Sequence, residues 1–302
     1  MSHQRWSTSW ETLEEFTNQA KAMVEAANFQ YEYNPEYTRT NLDFWIDKLE
    51  RRKNAEAHHA RDTRIKTLNA VLIQAYNHRM ACYLTLCDLT NVVETIRHDF
   101  RRVCVLAEET GDVIGRAQAW AWLAGAHYVS MQPKDSIACV EKALSLVPPT
   151  PALPYLFQVY AALILNYAYM GKDYTALEDK VRAMLDEHTV ERSASRASLI
   201  EALARANILS NRLSDAQQRL IEAQEECLHG PTPLTQLQIH RGQLVALAQV
   251  THVDKDHALI VANHALMLAG KQRKRYVIQI RQCAQSLGIL DVIRENVQAL
   301  LN

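Results

Sequence analysis

Three histidines in the C-terminal part of the chain, His252, His257 and His264, are the residues best suited by type to hold a metal ion. His257 and His264 are 7 positions apart, and no carboxylate stands at the spacing that a zinc site uses. The 6 cysteines include no C-x-x-C pair and no Cys/His set at zinc spacing. We therefore expect no metal, no cofactor and no disulfides, with reduced thiols buried in helices.

Arg52, followed by His58, His59, Arg61 and Asp62, is the sharpest catalytic candidate. An arginine could stabilise a charged transition state, and a histidine could act as general acid or base. The spacing resembles the R-x4-6-H element of the helical HEPN ribonucleases, which would imply RNA cleavage. The same run, ERRKNAEAHHARD, is also typical of a solvated helix face.

Other catalytic signatures are missing from the sequence. It contains no G-x-x-x-x-G-K-[ST], G-x-G-x-x-G, G-x-S-x-G or H-E-x-x-H motif, and its 8 glycines offer little for a phosphate-binding loop. We expect the protein not to be an enzyme, and a helical nuclease is the third of three functional readings.

One basic cluster, Lys271, Arg273, Lys274 and Arg275, could contact phosphate groups. No aromatic residues are interleaved with it, no helix-turn-helix signature surrounds it, and the net charge of the chain is −1. We expect an exposed joint between helices there, and no nucleic-acid binding. No run of about 18 apolar residues could span a bilayer and the N-terminus lacks the apolar core of a signal peptide, so we expect a cytoplasmic protein without a membrane partner.

The elements that carry these residues are predicted to be helices in a repeating array. A small or aliphatic residue is followed 12 positions later by a second small residue and 7 positions after that by Ala, four times in all, with steps of 40, 40 and 42 residues. The four sets are Ala124/Ser136/Ala143, Ile164/Ala176/Ala183, Ala204/Ala216/Ala223 and Ala246/Ala258/Ala265. Small side chains at these positions would let the two helices of each hairpin approach closely.

The predicted fold is therefore an all-α solenoid of helical hairpins. We place the repeats at 64–270, an aromatic-rich helical cap at 1–63 and C-terminal capping helices at 271–302. The cap holds 9 of the 22 aromatic residues, including Trp6, Trp10, Phe16, Phe44 and Trp45. Terminal units of a solenoid differ from the rest because one of their faces must meet water.

The repeat resembles the tetratricopeptide (TPR) family. Trp120, Leu123, Ala124, Ser136 and Ala143 match its pattern best, although the period is about 40 residues instead of 34 and the Gly that follows Leu is replaced. The longer period is similar to the TPR-like sensor regions of bacterial regulators and to some eukaryotic adaptors.

In this family, ligands lie along the concave wall made by the first helix of each hairpin. The wall positions carried over by the resemblance give a candidate ligand groove of Gln118, Tyr128, Gln158, Tyr169, Glu201, Arg205, His240 and Gln243. Arg205 would meet a carboxylate of the ligand, or Glu201 would pair with it across one helical turn.

These observations favour a non-enzymatic scaffold that binds a protein or peptide, as an adaptor or as the sensor of a regulatory system. The alternative is a structural subunit of a larger assembly, held through the convex side and the aromatic cap. Identity of the partner and oligomeric state stay open at this point.

Overall fold

The computed structural model describes residues 12–56, 63–86, 91–146, 155–186, 194–228, 233–250 and 252–302, without the side chains of 29, 155–158, 186, 194 and 195. Within these ranges the chain forms fourteen α-helices and no strand. The first seven are α1 Leu13–Gln30, α2 Pro35–Ala55, α3 Thr63–Leu86, α4 Val92–Thr110, α5 Val113–Val129, α6 Pro133–Leu146 and α7 Tyr155–Tyr169. The others are α8 Thr175–Asp186, α9 Ala194–Leu209, α10 Leu213–Cys227, α11 Pro233–Leu247, α12 Lys255–Ala269, α13 Lys274–Ser286 and α14 Leu290–Leu301.

The helix boundaries follow from local chemistry. Thr12 starts α1 with a capping box, in which its hydroxyl accepts from the backbone N–H of Glu15 and the Glu15 carboxylate accepts from the backbone N–H of Thr12. Asn34 caps α2, and the proline after it fits the first helical position because its missing N–H would have no partner there. Gly111 ends α4 at a φ of 75°, a left-handed conformation that costs glycine little.

Neighbouring helices pack against each other in consecutive pairs, as in α3 with α4, α5 with α6, α9 with α10 and α11 with α12. This arrangement confirms the predicted all-α, solenoid-like fold. One apolar core runs from α1 into α11, and a second continues from α11 to α14. No helix in the described ranges is both long enough and apolar enough to cross a membrane.

The small residues of the repeat signature lie at helix–helix contacts in three of the four units. Ala124, Ala143, Ala204 and Ala223 are completely buried, and the hydroxyl of Ser136 donates to the Ala124 carbonyl at 2.8 Å. The second unit differs, because Ala176 and Ala183 are exposed on α8. The prediction that Ala183 lies at a contact within the hairpin is therefore wrong.

The reason is a different packing of α8. This helix turns Val181, Met184 and Leu185 towards the core and makes limited contact with α7, which packs mainly on α9. Buried Glu178 accepts from Arg182 at 2.7 Å and from Arg212 at 3.0 Å, which ties α8 to the start of α10. A polar link replaces the close approach of small side chains.

The two ends of the array meet. The side chain of Arg273, in the joint between α12 and α13, donates to the backbone carbonyl of Glu32 in the joint between α1 and α2. Next to it, Gln272 Nε2 donates to Asn34 Oδ1 at 3.1 Å. These contacts join residues about 240 positions apart and close the curved array around its concave side.

The N-terminal hairpin has a buried and an exposed aromatic side. Phe16 and Trp45 are buried with ring centroids 6.1 Å apart, whereas Tyr33, Tyr37 and Phe44 are largely exposed. Trp6 and Trp10 lie outside the described residues. The division into a cap at 1–63, repeats at 64–270 and a cap at 271–302 stays a prediction.

The catalytic candidate of the sequence falls mostly in an undescribed segment. His58, His59, Arg61 and Asp62 lie outside the described residues. Arg52, which is described, pairs with Glu56 one turn later at 3.0 Å. That contact is an ordinary ion pair along a helix.

Candidate functional site: the central cavity

The concave side of the closed array contains a cavity of about 230 Å³ that is partly open to solvent. Side chains reach it from α3, α5, α7, α9, α11 and α13, and the joint between α1 and α2 covers it with Tyr31 and Glu32. Every second helix from α3 to α13 thus contributes to one site, because the curvature of a helical array brings these helices together on its concave side.

The wall formed by α3, α5 and α7 is apolar. It presents Leu84, Trp122, Val129 and Leu165 together with several alanines. Gly125 lies where a Cβ atom would come within 3.1 Å of Leu84 Cδ1, so its lack of a side chain keeps this part of the cavity open. The indole N–H of Trp122 is buried and has no acceptor among the described residues.

The wall formed by α9, α11 and α13 is cationic. Arg205, Arg241 and Arg275 come from these three helices in turn. Behind them lies Glu201, completely buried, with its Oε1 2.8 Å from Arg205 Nε and 3.7 Å from an Arg241 Nη atom. No donor is aimed along a hydrogen bond at either Glu201 oxygen from the described residues, so the contact is an ion pair of imperfect geometry.

Polar and aromatic groups hold the arginines in place. Arg241 donates to Gln279 Oε1 at 3.1 Å, and its guanidinium carbon lies 5.8 Å from the Tyr276 ring centroid. The guanidinium carbon of Arg275 lies 6.0 Å from the same centroid. The Tyr276 hydroxyl accepts from Gln238 Nε2 at 3.2 Å. These contacts fix two cations around one aromatic ring.

The electrostatics of the two inner arginines differ. Burial lowers the pKa of Arg205, but Glu201 together with Tyr128 and Tyr276 outweighs that effect and the net pKa is raised. Burial and the neighbouring charge of Arg205 both act on Arg241, whose pKa is lowered. The site therefore holds a cation that its surroundings do not fully compensate.

A second cavity of about 290 Å³ continues from the first. Both are lined by Tyr128, Val129, Arg205, Arg241 and Arg275. Arg275 also lines a wider groove of about 790 Å³ between α2, α3 and α13, together with Lys271 and Lys274. The basic cluster predicted from the sequence therefore lies in two places. Lys271, Lys274 and Arg275 line this groove, whereas Arg273 is buried in the contact with Glu32 that joins the two ends of the array.

The structure brings together part of the groove set chosen from the sequence. Tyr128 and Arg205 line the cavity, and Glu201 supports Arg205 from behind. Other residues of α5, α7 and α9 line it as well, namely Ala121, Gly125, Ala161, Leu165 and Ser198.

The remaining groove residues lie elsewhere. His240 packs its ring on His264 of α12 at 5.7 Å, burial lowers its pKa, and Gln243 donates to Gln224 of α10 at 3.3 Å, so both face the second helices of the hairpins. Tyr169 is 47% exposed and lines neither cavity, and half-buried Gln118 lines neither. The side chain of Gln158 lies outside the described residues.

The error on α11 has a simple physical cause. The fourth signature set comes 42 residues after the third, whereas a step of 40 from Ser198, Glu201 and Arg205 leads to Gln238, Arg241 and Val245. Those three line the cavities. A shift of two residues rotates a helix position by about 200°, which is enough to move it to the opposite face. A constant 40-residue step would have found Arg241.

No group of three His, Cys, Asp or Glu side chains in the described ranges is close enough to hold a metal ion. The five cysteines within those ranges are unpaired, and Cys87 lies outside them. No family model matches this chain, and no curated protein matches it.

Proposed function

We propose that this chain is a non-enzymatic, TPR-like binding protein that holds its ligand in the central cavity, as the sensor or adaptor module of a regulatory system. The observation that carries the proposal is the cavity itself. It is lined by six helices and a terminal joint, and it contains buried charge that a partner of opposite sign would compensate.

The surroundings of the cavity indicate the kind of ligand. Side chains from six helices line it, and Tyr31 and Glu32 cover it from the joint between α1 and α2. We propose a small molecule or the end of an extended peptide as the ligand, because either can be surrounded on several sides by such a lining.

The chemistry of the walls supports binding over catalysis. Among the described residues that line the first cavity there is no histidine and no cysteine, and Glu32 is the one carboxylate. The Tyr31 hydroxyl donates to Glu32 Oε1 at 3.3 Å, but burial, with the neighbouring Glu32 carboxylate, raises the pKa of that hydroxyl and so disfavours it as a nucleophile.

The test is to fill the cavity. Ala161 lines the apolar wall, so Ala161→Phe should occupy the space that the ligand needs and abolish binding. Ala183→Phe is the matched control, since it adds the same side chain to an exposed position. Native mass spectrometry of both variants and the unmodified protein, purified gently from cells, would report bound molecules. Identical ligand content in all three proteins would refute the proposed function.

A second candidate function, structural subunit of an assembly, is favoured by the exposed aromatic residues of the N-terminal hairpin. Tyr37 and Phe44 are 7 positions apart on α2, hence on one face, and Tyr33 precedes them in the joint. If this face is a permanent interface, Tyr37→Ser with Phe44→Ser should reduce the mass of the native particle in sedimentation analysis. A particle of unchanged mass would refute this alternative.

A further inference from the structure

The central cavity has two chemically different halves, and the difference follows the chain. The contributions of α3, α5 and α7 are apolar, apart from Thr85, Tyr128 and the indole N–H of Trp122, whereas α9, α11 and α13 each contribute an arginine. A ligand that fills the cavity must therefore present an apolar body to one side and an anionic group to the other.

The charge balance of the cavity indicates how many negative charges the ligand carries. Three guanidinium groups line the cavity (Arg205, Arg241, Arg275), against one lining carboxylate (Glu32) and the buried Glu201 that pairs with two of them, so these five groups carry an excess of one positive charge. One negative charge on the ligand restores neutrality. A phosphate monoester, with about −1.5 to −2 at pH 7, would overshoot it.

Arg275 is the cation available for this role. No carboxylate lies within ion-pair distance of it among the described residues, and its Nε atom is buried without a hydrogen-bond acceptor there. Since the same side chain also lines the basic groove with Lys271 and Lys274, it connects the cavity to a positively charged approach.

We propose that the cavity binds a small amphiphilic monocarboxylate, with its carboxylate held between Arg275 and Arg241 and its apolar body against α3, α5 and α7. This inference rests on the proposed function, because it names the class of ligand for the same site. The fork of guanidinium donors suits a carboxylate, which accepts two parallel N–H bonds.

Calorimetric titration with octanoate and with octanol tests the inference. Octanoate should bind at least about tenfold more tightly than octanol, because the neutral head leaves Arg275 uncompensated. In Arg275→Gln this preference should fall to below about threefold, while Lys271→Gln, which removes an equal charge from the rim, should retain it. Thermal unfolding of each variant checks that it is folded.

Arg241→Gln gives a second variant for the same measurement. The preference of this variant for octanoate over octanol should also fall. Its unfolding temperature should drop as well, because Arg205 is then the one remaining ion-pair partner of Glu201 among the described residues. Octyl phosphate and N-acetyl-Leu-Leu with a free carboxyl end complete the series. Tighter binding of octyl phosphate than of octanoate would contradict the inference that the ligand carries a single negative charge. Tighter binding of the dipeptide than of octanoate would contradict the inference that the ligand is a small molecule and not a peptide end.

The remaining outcomes separate the two proposals. Equal affinities for octanoate and octanol, with both lost in Ala161→Phe, would contradict the inference that the ligand is a carboxylate. The proposed function, ligand binding in the cavity, would still be supported. Unchanged binding in Ala161→Phe would overturn the cavity as the site. An absence of binding by every probe would overturn the inference directly.

Discussion

At the scale of single residues, buried ion pairs between helices decide how strongly neighbouring units are joined. Arg79 on α3 donates two parallel hydrogen bonds to Asp99 on α4, at 2.8 and 2.7 Å, and a third to Asp43 on α2 at 2.8 Å. The Asp99 side chain is 2% exposed. Burial alone lowers the pKa of Arg79, but the two carboxylates outweigh burial and the net pKa is raised.

Replacing Arg79 with Gln should therefore destabilise the protein by about 3–5 kcal/mol, because it leaves Asp99 buried without its counter-ion. The control is Arg51→Gln, which breaks a solvent-exposed pair with Asp47 and should cost at most about 1 kcal/mol. Urea unfolding gives both free energies. Equal small losses in the two variants would mean that the Arg79 pair does not hold α3 and α4 together.

At the scale of helices, the repeat is maintained by small side chains in most units and by a polar network in one. Ala223 on α10 is completely buried beside α9, whereas Ala183 at the corresponding position of α8 is exposed. The same spacing in the sequence thus corresponds to two packings. The difference arises because the side chains of Val181 and Glu178 on α8 are buried, and Glu178 pairs with Arg212 at the start of α10.

This difference predicts opposite responses to one substitution. Ala223→Phe should cost about 1–3 kcal/mol, since a closely packed contact cannot accept the larger side chain without strain. Ala183→Phe should change stability by less than about 0.5 kcal/mol, as substitutions on an exposed helix face do. The melting temperatures of the two variants provide the comparison. A comparable loss in both would restore the regular packing that the sequence predicted for α8.

At the scale of the whole molecule, contact between the two ends converts an open array into one that surrounds a cavity. Arg273 donates to the backbone carbonyls of Leu268, at 2.9 Å, and of Glu32. Its side chain is buried, and burial lowers its pKa. Since each repeat of a solenoid contacts mainly its neighbours, a contact between the ends constrains the curvature of all units at once.

Arg273→Ala should open this contact. We expect faster amide hydrogen exchange in residues 31–34, a larger radius of gyration in solution scattering, and a loss of about 1–3 kcal/mol as the Glu32 carbonyl loses its donor. Lys271→Ala, in the same joint but exposed, is the control and should leave all three quantities as they were. If residues 31–34 exchange at the original rate in Arg273→Ala, the ends are held together by other contacts.

Sequence signals were sufficient to predict the helices, most of their pairing and part of the inner face of the first three repeats. Local signals suffice for these features: caps such as Thr12 and Asn34 begin helices, Gly111 ends one, and a 40-residue step from Gly125 through Leu165 to Arg205 marks a common side. Periodicity reports which residues share a face, because each helix repeats its direction every 3.6 residues.

The place where the array closes and the charges that meet there depend on long-range packing. Glu32 and Arg273 are about 240 positions apart, and nothing in their local sequence specifies that they touch. The inner position of Arg241 depends on the rotation of α11, and the exposure of Ala183 depends on the packing of α8. Small changes in angle between successive helices accumulate along a solenoid, so long-range contacts are set by the sum of all interfaces rather than by any one repeat.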